Sequence, residues 1–260
     1  MERIMADWKP DLYLQFERDR NLPARDLLSR LPAFERARIV DIGCGPGNST
    51  ELLVERFPDG RVNGVDNSPA MIEAARKRLP NVPFSLADAA KWRPSAPCDV
   101  LFANALFQWV PTRLQVFKDL VGHLTLGGCL AVQMPDNLDE PSHTIMRAVA
   151  ARPRFQAKLA KAAEARAAIE SIEAIYDALC PLAREVDVWR TTYVPALAGP
   201  DAIVGWVSST GLKPFIDPLD VDDRAAFLAE YRDEIAKAYP MRADGRVLLP
   251  FPRLFLVARR

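Results

Sequence analysis

A glycine-rich turn follows a short apolar stretch near the start of the chain, where residues 38–48 read RIVDIGCGPGN. Glycines 43, 45 and 47 leave the backbone open to a ligand and permit the positive φ angles of a tight strand-to-helix turn. Asp41 stands inside the end of the strand, and Asp66 follows about twenty residues after the turn. We interpret this combination as a site for an adenosyl cofactor, with Asp66 on a ribose diol and Asp41 on the ammonium of a methionyl group.

The spacing of these glycines argues against a dinucleotide site. A dinucleotide fingerprint places its third glycine three residues after the second, whereas here Gly47 is two residues after Gly45 and Asn48 stands next. A pyrophosphate would also gain nothing from Asp41. A nucleotide-linked oxidoreductase is therefore disfavoured. Singly, Asp41 and Asp66 could be ordinary strand-end acids, and a non-catalytic module that only binds the cofactor stays open.

The composition is that of an ordinary soluble globular protein. Thirty-four basic and 34 acidic residues among 260 leave no net charge, so nothing indicates a nucleic acid or an anionic membrane as partner. The chain has four scattered cysteines and two histidines, so the sequence gives little support for a metal site or a disulfide. The chain shows neither a leader-like segment nor a long apolar run. We expect a cytoplasmic location and no metal.

Strands and helices alternate regularly as far as residue 150. Apolar runs predict strands around Val40 and at 61–66, 82–86, 99–103 and 129–134, separated by helices that include 49–56, 68–79 and 114–124. Regular alternation of this kind predicts an α/β fold with a doubly wound, Rossmann-like parallel sheet. Ligands of such sheets bind beyond the carboxyl ends of the strands.

After Pro141 the pattern becomes mostly helical. The alanine-rich stretch 157–178 is a strong helix former, and 185–194 alternates like a strand. We divide the chain into a cofactor-binding core with N-terminal helices at 1–140, a mostly helical substrate or lid region at 141–245, and a C-terminal strand at 246–260 that returns to the core sheet. A lid over the cofactor and a plain peripheral packing layer remain alternatives for the helical region.

Motifs along the chain resemble those of class I S-adenosylmethionine-dependent methyltransferases, in order and spacing, at residues 40–47, 64–66, 87–89 and 102–105. Within that class, nearly the whole chain is similar to the trans-aconitate 2-methyltransferase family, on residues 7–14, 108–110, 131–137, 189–193 and 251–255. The resemblance implies methyl transfer from S-adenosyl-L-methionine to a carboxylate of a small polycarboxylic acid, giving a monomethyl ester and S-adenosyl-L-homocysteine. Another small-molecule acceptor is the alternative, and the oligomeric state stays open, a monomer included.

The resemblance also implies a set of cofactor residues at the ends of the first four strands. Backbone N–H groups of the glycine turn suit the methionyl carboxylate. Asp88 can accept from the adenine amino group, while Asn67 and Met71 flank the ring. The complete predicted set is Asp41, Gly43, Cys44, Gly45, Gly47, Asn48, Asp66, Asn67, Met71, Ala87, Asp88, Asn104, Ala105 and Trp109.

A carboxylate acceptor with a reference pKa near 4 is ionised at neutral pH, so we predict no general base and no catalytic residue. A polycarboxylate does need cations. Arg253 interrupts an apolar run at 248–257, and Arg190 lies between two uncharged residues of a predicted strand, although either could instead form an internal ion pair. Neutral substrate contacts would come from Tyr13, Gln108, Asn137 and Tyr193.

Overall fold

A computed structural model describes residues 17–208 and 210–260. The described residues form two compact units. The sheet unit comprises residues 17–135, 169–191 and 253–260, and the helical unit comprises residues 136–168, 192–208 and 210–252. None of the described helices combines the length and the apolar character needed to cross a membrane.

Nine strands are assigned in the described residues. They are β1 (Arg38–Ile42), β2 (Arg61–Asp66), β3 (Phe84–Leu86), β4 (Cys98–Asn104), β5 (Leu124–Pro135), β6 (Glu185–Tyr193), β7 (Ala196–Leu197), β8 (Val247–Leu248) and β9 (Phe251–Arg259). Seven of them form one sheet in the order β3-β2-β1-β4-β5-β9-β6, and β7 pairs with β8 in a separate antiparallel sheet. Strands β1 to β5 run parallel, which confirms the predicted doubly wound sheet, while β9 runs antiparallel to β5.

Ten α-helices connect these strands in the described residues. They are α1 (Glu17–Ser29), α2 (Asn48–Arg56), α3 (Pro69–Arg78), α4 (Arg113–Gly122), α5 (Pro141–Ala150), α6 (Gln156–Leu159), α7 (Ile172–Leu179), α8 (Pro200–Ser208), α9 (Lys213–Ile216) and α10 (Val221–Ala238). Helix α3 begins where the sequence predicts, because the Ser68 hydroxyl accepts a hydrogen bond from the Met71 N–H and Pro69 occupies the first turn.

The central strands are apolar because helices cover both faces of the sheet. Residues 100–103 of β4 and 129–134 of β5 are buried. One face carries the main apolar cluster, which includes Leu101, Val132 and Leu256. Side chains of neighbouring positions point to the opposite face, and Asp41 and Gln133 are buried there. Two polar side chains inside an apolar sheet mark the region where the site is built.

The alanine-rich stretch 157–178, which the sequence marks as a strong helix former, is helical only in part. Helix α6 ends at Leu159, a short 3₁₀ turn covers Ala162–Ala165, and α7 begins only at Ile172. The break passes through Glu170, whose carboxylate lies 2.6 Å from the Nε of buried Arg113. Alanine propensity alone is too weak to override such tertiary contacts. The predicted strong helix former is therefore helical only in separate short segments.

Two further boundaries differ from the prediction. Helix α4 ends at Gly122 rather than at residue 124, and β5 begins at Leu124 rather than at residue 129. The segment 169–191, predicted as part of the helical region, belongs to the sheet unit. The role of the helical unit as a lid stays a prediction.

Candidate functional site at the carboxyl ends of the central strands

The glycine turn after β1 folds back on β2. The N–H groups of Gly43 and Cys44 both donate to the carbonyl of Val65, at 2.7 and 3.0 Å. Glycines 43, 45 and 47 have φ angles of 72°, 53° and 92°, as the sequence pattern predicts for this turn. A Cβ atom at Gly43 would lie 2.8 Å from Leu106, whereas a Cβ atom at Gly45 would meet no atom within 4 Å. Open space therefore lies next to Gly45.

Asp66, at the end of β2, links this turn to the start of α3. Its Oδ2 accepts from the N–H of Gly45 and its Oδ1 from the N–H of Ser68, both at 2.9 Å. Burial raises the pKa of Asp66, and these backbone hydrogen bonds oppose the shift. Each carboxylate oxygen has a second lone pair, so the group can accept further bonds from the two hydroxyls of a ribose.

Asp41 is fully buried beneath the turn. Its Oδ2 accepts from the hydroxyls of Ser49 at 2.7 Å and Thr50 at 2.6 Å, both in the first turn of α2. Its Oδ1 is buried and has no hydrogen-bond partner in the part of the chain that the structure describes. Burial raises the pKa of Asp41 from 3.8 to about 6, against the lowering effect of the two hydroxyls. A cationic group of a ligand would satisfy the second oxygen.

Three more buried amide atoms lack partners among the described residues, at or just beyond the ends of the neighbouring strands. They are Asn104 Oδ1, Gln108 Oε1 and Gln133 Nε2. Asn104 ends β4 and is paired in register with Gln133 of β5, so their side chains share one face. Between Asn104 and Gln108, Ala105 has a φ of 57°, a conformation that is rare for a residue with a side chain. Unsatisfied atoms and a strained residue together indicate a ligand site.

The remaining predicted cofactor residues lie at the same strand ends or in the loops that follow them. Met71 is buried at the start of α3, while Asn67 and Asp88 are exposed after β2 and β3. Asp88 accepts from the N–H of Ala90 at 2.9 Å, and the N–H of Ala87 donates to the carbonyl of Asp66 at 2.8 Å. The other predicted residues here are Cys44 and Asn48, both buried, and Trp109, which is partly buried.

Arg253 lies near the start of strand β9, beside Gln133. Only 5% of Arg253 is exposed, and its Nη1 donates to Gln133 Oε1 at 3.1 Å. A guanidinium can only donate, so the amide oxygen must face it and the amide nitrogen must point elsewhere. Gln133 is a residue that the sequence reasoning missed. Its signal was a lone amide inside an otherwise apolar strand.

Arg190 lies on a different face of the sheet from Gln133 and Arg253. On β6, Trp189 stacks on Phe255 of β9 with ring centroids 4.9 Å apart. Side chains alternate along a strand, so Arg190 lies on the face opposite to Trp189 and Phe255, whereas Arg253 lies on the face of Phe255. Arg190 is also exposed. A substrate contact by Arg190 stays a prediction, and it would have to be made from the face of the sheet opposite to Arg253.

The other predicted substrate residues fall in different parts of the chain. Gln108 belongs to the sheet unit, and its Nε2 donates to the carbonyl of Ala105 at 2.6 Å. Asn137 and Tyr193 belong to the helical unit, where the Asn137 Oδ1 accepts from Arg166 at 3.2 Å. Tyr13 lies outside the described residues.

His143 of the helical unit does not suit the role of a base. Burial, with the charges of Arg166 and Arg147, lowers the pKa of His143 from 6.5 to about 3. Its Nε2 lies 3.5 Å from the Arg166 guanidinium, and its Nδ1 lies 3.1 Å from the Ser142 hydroxyl. Because the guanidinium can only donate, the Nε2 is the acceptor and the Nδ1 carries the proton. His143 is thus a neutral structural group.

Comparison with known proteins agrees with this geometry. A family model described as a methyltransferase domain matches residues 39–128. Two curated relatives, from Methylobacterium nodulans and Afipia carboxidovorans, are 57% and 56% identical to this chain, and both are named trans-aconitate 2-methyltransferase. Each alignment covers 98% of this chain, and it covers 99% and 100% of the respective relatives.

Solved structures share the fold at much lower identity. The YcgJ protein of Bacillus subtilis matches with a TM-score of 0.59 at 11% identity, over 92% of this chain and 97% of that chain. A phosphoethanolamine N-methyltransferase of Haemonchus contortus, solved with S-adenosyl-L-methionine, matches with a TM-score of 0.52 at 17% identity, over 91% of this chain and 52% of that chain. At these identities the likeness shows the fold alone.

Proposed function

The chain belongs to the trans-aconitate 2-methyltransferase family, and we propose that it transfers the methyl group of S-adenosyl-L-methionine to a carboxylate of trans-aconitate. The products are a monomethyl ester and S-adenosyl-L-homocysteine. One structural observation carries the proposal furthest: the buried, unpartnered Oδ1 of Asp41 beneath a glycine turn with open space at Gly45.

The residues at the strand ends fit the cofactor. Asp41 offers a buried carboxylate oxygen to the methionyl ammonium, and Asp66 offers two half-buried oxygens to the ribose. Gly43, Cys44, Gly45 and Gly47 use their N–H groups inside the protein, three on carbonyl oxygens and Gly45 on Asp66. The expected binding of the methionyl carboxylate by the turn would therefore fall to the first turn of α2, where N–H groups have no intrahelical acceptor.

Methyl transfer to a carboxylate asks for positioning and exclusion of water. The bound cofactor supplies an electrophilic methyl group on a sulfonium. The acceptor carboxylate is ionised at neutral pH, so no protein group has to remove a proton. Alignment of the two reactants can contribute roughly 7 to 11 kcal/mol, and the enclosed guanidinium of Arg253 can hold a substrate carboxylate while part of its water shell is removed. A cytoplasmic location stays a prediction.

Incubation of the purified protein with S-adenosyl-L-methionine and trans-aconitate, followed by mass spectrometry, tests the proposal. We expect one added methyl group on trans-aconitate and slower methylation of cis-aconitate, citrate and isocitrate. S-Adenosylhomocysteine should raise the melting temperature, whereas NAD should not. Cofactor binding without methyl transfer to any of the acids would instead support a non-catalytic binding module.

A further inference from the structure

Gln133 is the most completely buried amide at the strand ends, and one of its two polar atoms, the Nε2, has no partner among the described residues. Gln133 lies near the end of β5, which pairs with β4 on one side and with β9 on the other, and its side chain is fully buried. The Oε1 faces Arg253, and the Nε2 has no acceptor within the described ranges 17–208 and 210–260. A buried N–H group without an acceptor destabilises the folded protein by an amount comparable to a lost hydrogen bond, so natural proteins rarely retain one without a use.

The backbone around Gln133 fixes the direction of this side chain. Its carbonyl accepts from the N–H of Ala105 at 2.9 Å, and its Cα is paired in register with Asn104. Arg253 is enclosed on the same face, two residues before Phe255, the register partner of Gln133 on β9. The contact with Arg253 determines which end of the amide faces the guanidinium. The free N–H group is therefore preoriented and lies beside a cation.

We propose that Gln133 is a substrate-recognition residue, which orients Arg253 through its Oε1 and donates a hydrogen bond from its Nε2 to a carboxylate of the tricarboxylate substrate. The inference rests on the proposed function. An amide donor next to a guanidinium matches a carboxylate, which only accepts hydrogen bonds. The same pair disfavours a neutral ester or amide, because a buried cation would remain without a counter-charge.

Two substitutions of similar size test the role. Gln133→Glu replaces the donor by an acceptor and places a negative charge beside Arg253, while Gln133→Met removes both hydrogen bonds and keeps the volume. Both should raise the KM for trans-aconitate, by about 10- to 100-fold for the loss of a hydrogen bond to a charged group. The affinity for S-adenosylhomocysteine should stay unchanged. Gln115→Glu is the matched control, since Gln115 is exposed on α4.

Three dicarboxylates locate the contact, because itaconate, cis-glutaconate and mesaconate each lack a different carboxylate of trans-aconitate. Their inhibition constants against trans-aconitate are measured for the wild type and for Gln133→Met. The analogue that lacks the carboxylate bound by Gln133 should lose least affinity in the variant. Equal losses for all three analogues would assign Gln133 a purely structural role and overturn the proposal.

The outcomes separate this inference from the proposed function. An active wild type with unchanged KM values in both folded variants removes the recognition role alone. A wild type that methylates no tricarboxylate removes the proposed function and the recognition role with it. If one variant fails to fold, the other still decides, because the two alter charge and packing in different ways.

Discussion

The carboxylate of Asp66 accepts a hydrogen bond from the backbone N–H of Gly45 at 2.9 Å, so the end of β2 holds the turn that follows β1. One residue thereby shapes the glycine turn and offers acceptors to a ribose. The second oxygen of Asp66 holds the Ser68 N–H at the start of α3. Loss of this carboxylate should therefore affect both the ligand and the loop that surrounds it.

Asp66→Ala should weaken the binding of S-adenosylhomocysteine by about 1 to 3 kcal/mol, because charge-assisted hydrogen bonds are lost. Isothermal titration calorimetry measures the affinity, and the melting temperature without ligand reports the structural part. Asp59→Ala, at an exposed acid before β2, is the control. A lower melting temperature with unchanged affinity would show that Asp66 only shapes the turn.

Gly45→Ala should reduce cofactor affinity more than it reduces stability. The new Cβ meets no protein atom within 4 Å, so the fold bears only the penalty of a positive φ angle, roughly 1 to 2 kcal/mol. Gly127→Ala is a matched control, since Gly127 also has a positive φ and open space around its Cβ but lies in the exposed first part of β5. Wild-type affinity in a folded Gly45→Ala protein would exclude the cofactor from the space beside the turn.

The titration of Asp41 should make the free energy of unfolding and the affinity for the cofactor change with pH in opposite directions. Its pKa is raised from 3.8 to about 6, so between about pH 4 and pH 6 the folded protein keeps a proton that the unfolded chain has lost. The free energy of unfolding therefore falls as pH rises through that window, by about 3 kcal/mol in total. Without ligand, Asp41→Asn should melt higher than the wild type at pH 8 and not at pH 5.

Cofactor binding should show the reverse trend. An ammonium group beside Asp41 favours the carboxylate, so the wild type should bind S-adenosylhomocysteine more tightly as pH rises through about 6. Calorimetry across that range should find a much weaker pH dependence in Asp41→Asn, whereas Asp59→Asn should behave like the wild type. The same pH profile in Asp41→Asn and the wild type would remove Asp41 from the ammonium site.

Arg253→Met should lower kcat/KM for trans-aconitate by roughly 2 to 5 kcal/mol equivalents while cofactor affinity stays nearly constant. Arg259→Met is the control on the same strand, because Arg259 forms a surface ion pair with Glu185. For a monomethyl ester that lacks the bound carboxylate, kcat/KM should fall much less. Uniform loss on all acceptors, together with a lower melting temperature, would identify Arg253 as a structural residue.

The cofactor turn could be predicted from the sequence because its determinants are local. Gly43, Gly45 and Gly47 have the positive φ angles that their spacing indicates, and Asp66 lies one strand-helix-strand unit further on. The parallel sheet was equally predictable from the alternation of apolar strands and amphipathic helices. These features depend on short-range sterics and on residues close together in the chain.

The tertiary structure alone decided which polar groups of later strands meet. Gln133 and Arg253 are 120 residues apart in sequence and touch because β9 inserts antiparallel beside β5. The stacking of Trp189 on Phe255 likewise places Arg190 on the other face of the sheet. The alanine-rich stretch breaks where Glu170 reaches Arg113, a contact that no local propensity encodes. A shift of one residue in strand register exchanges the two faces of a strand, and register is set by packing across the whole sheet.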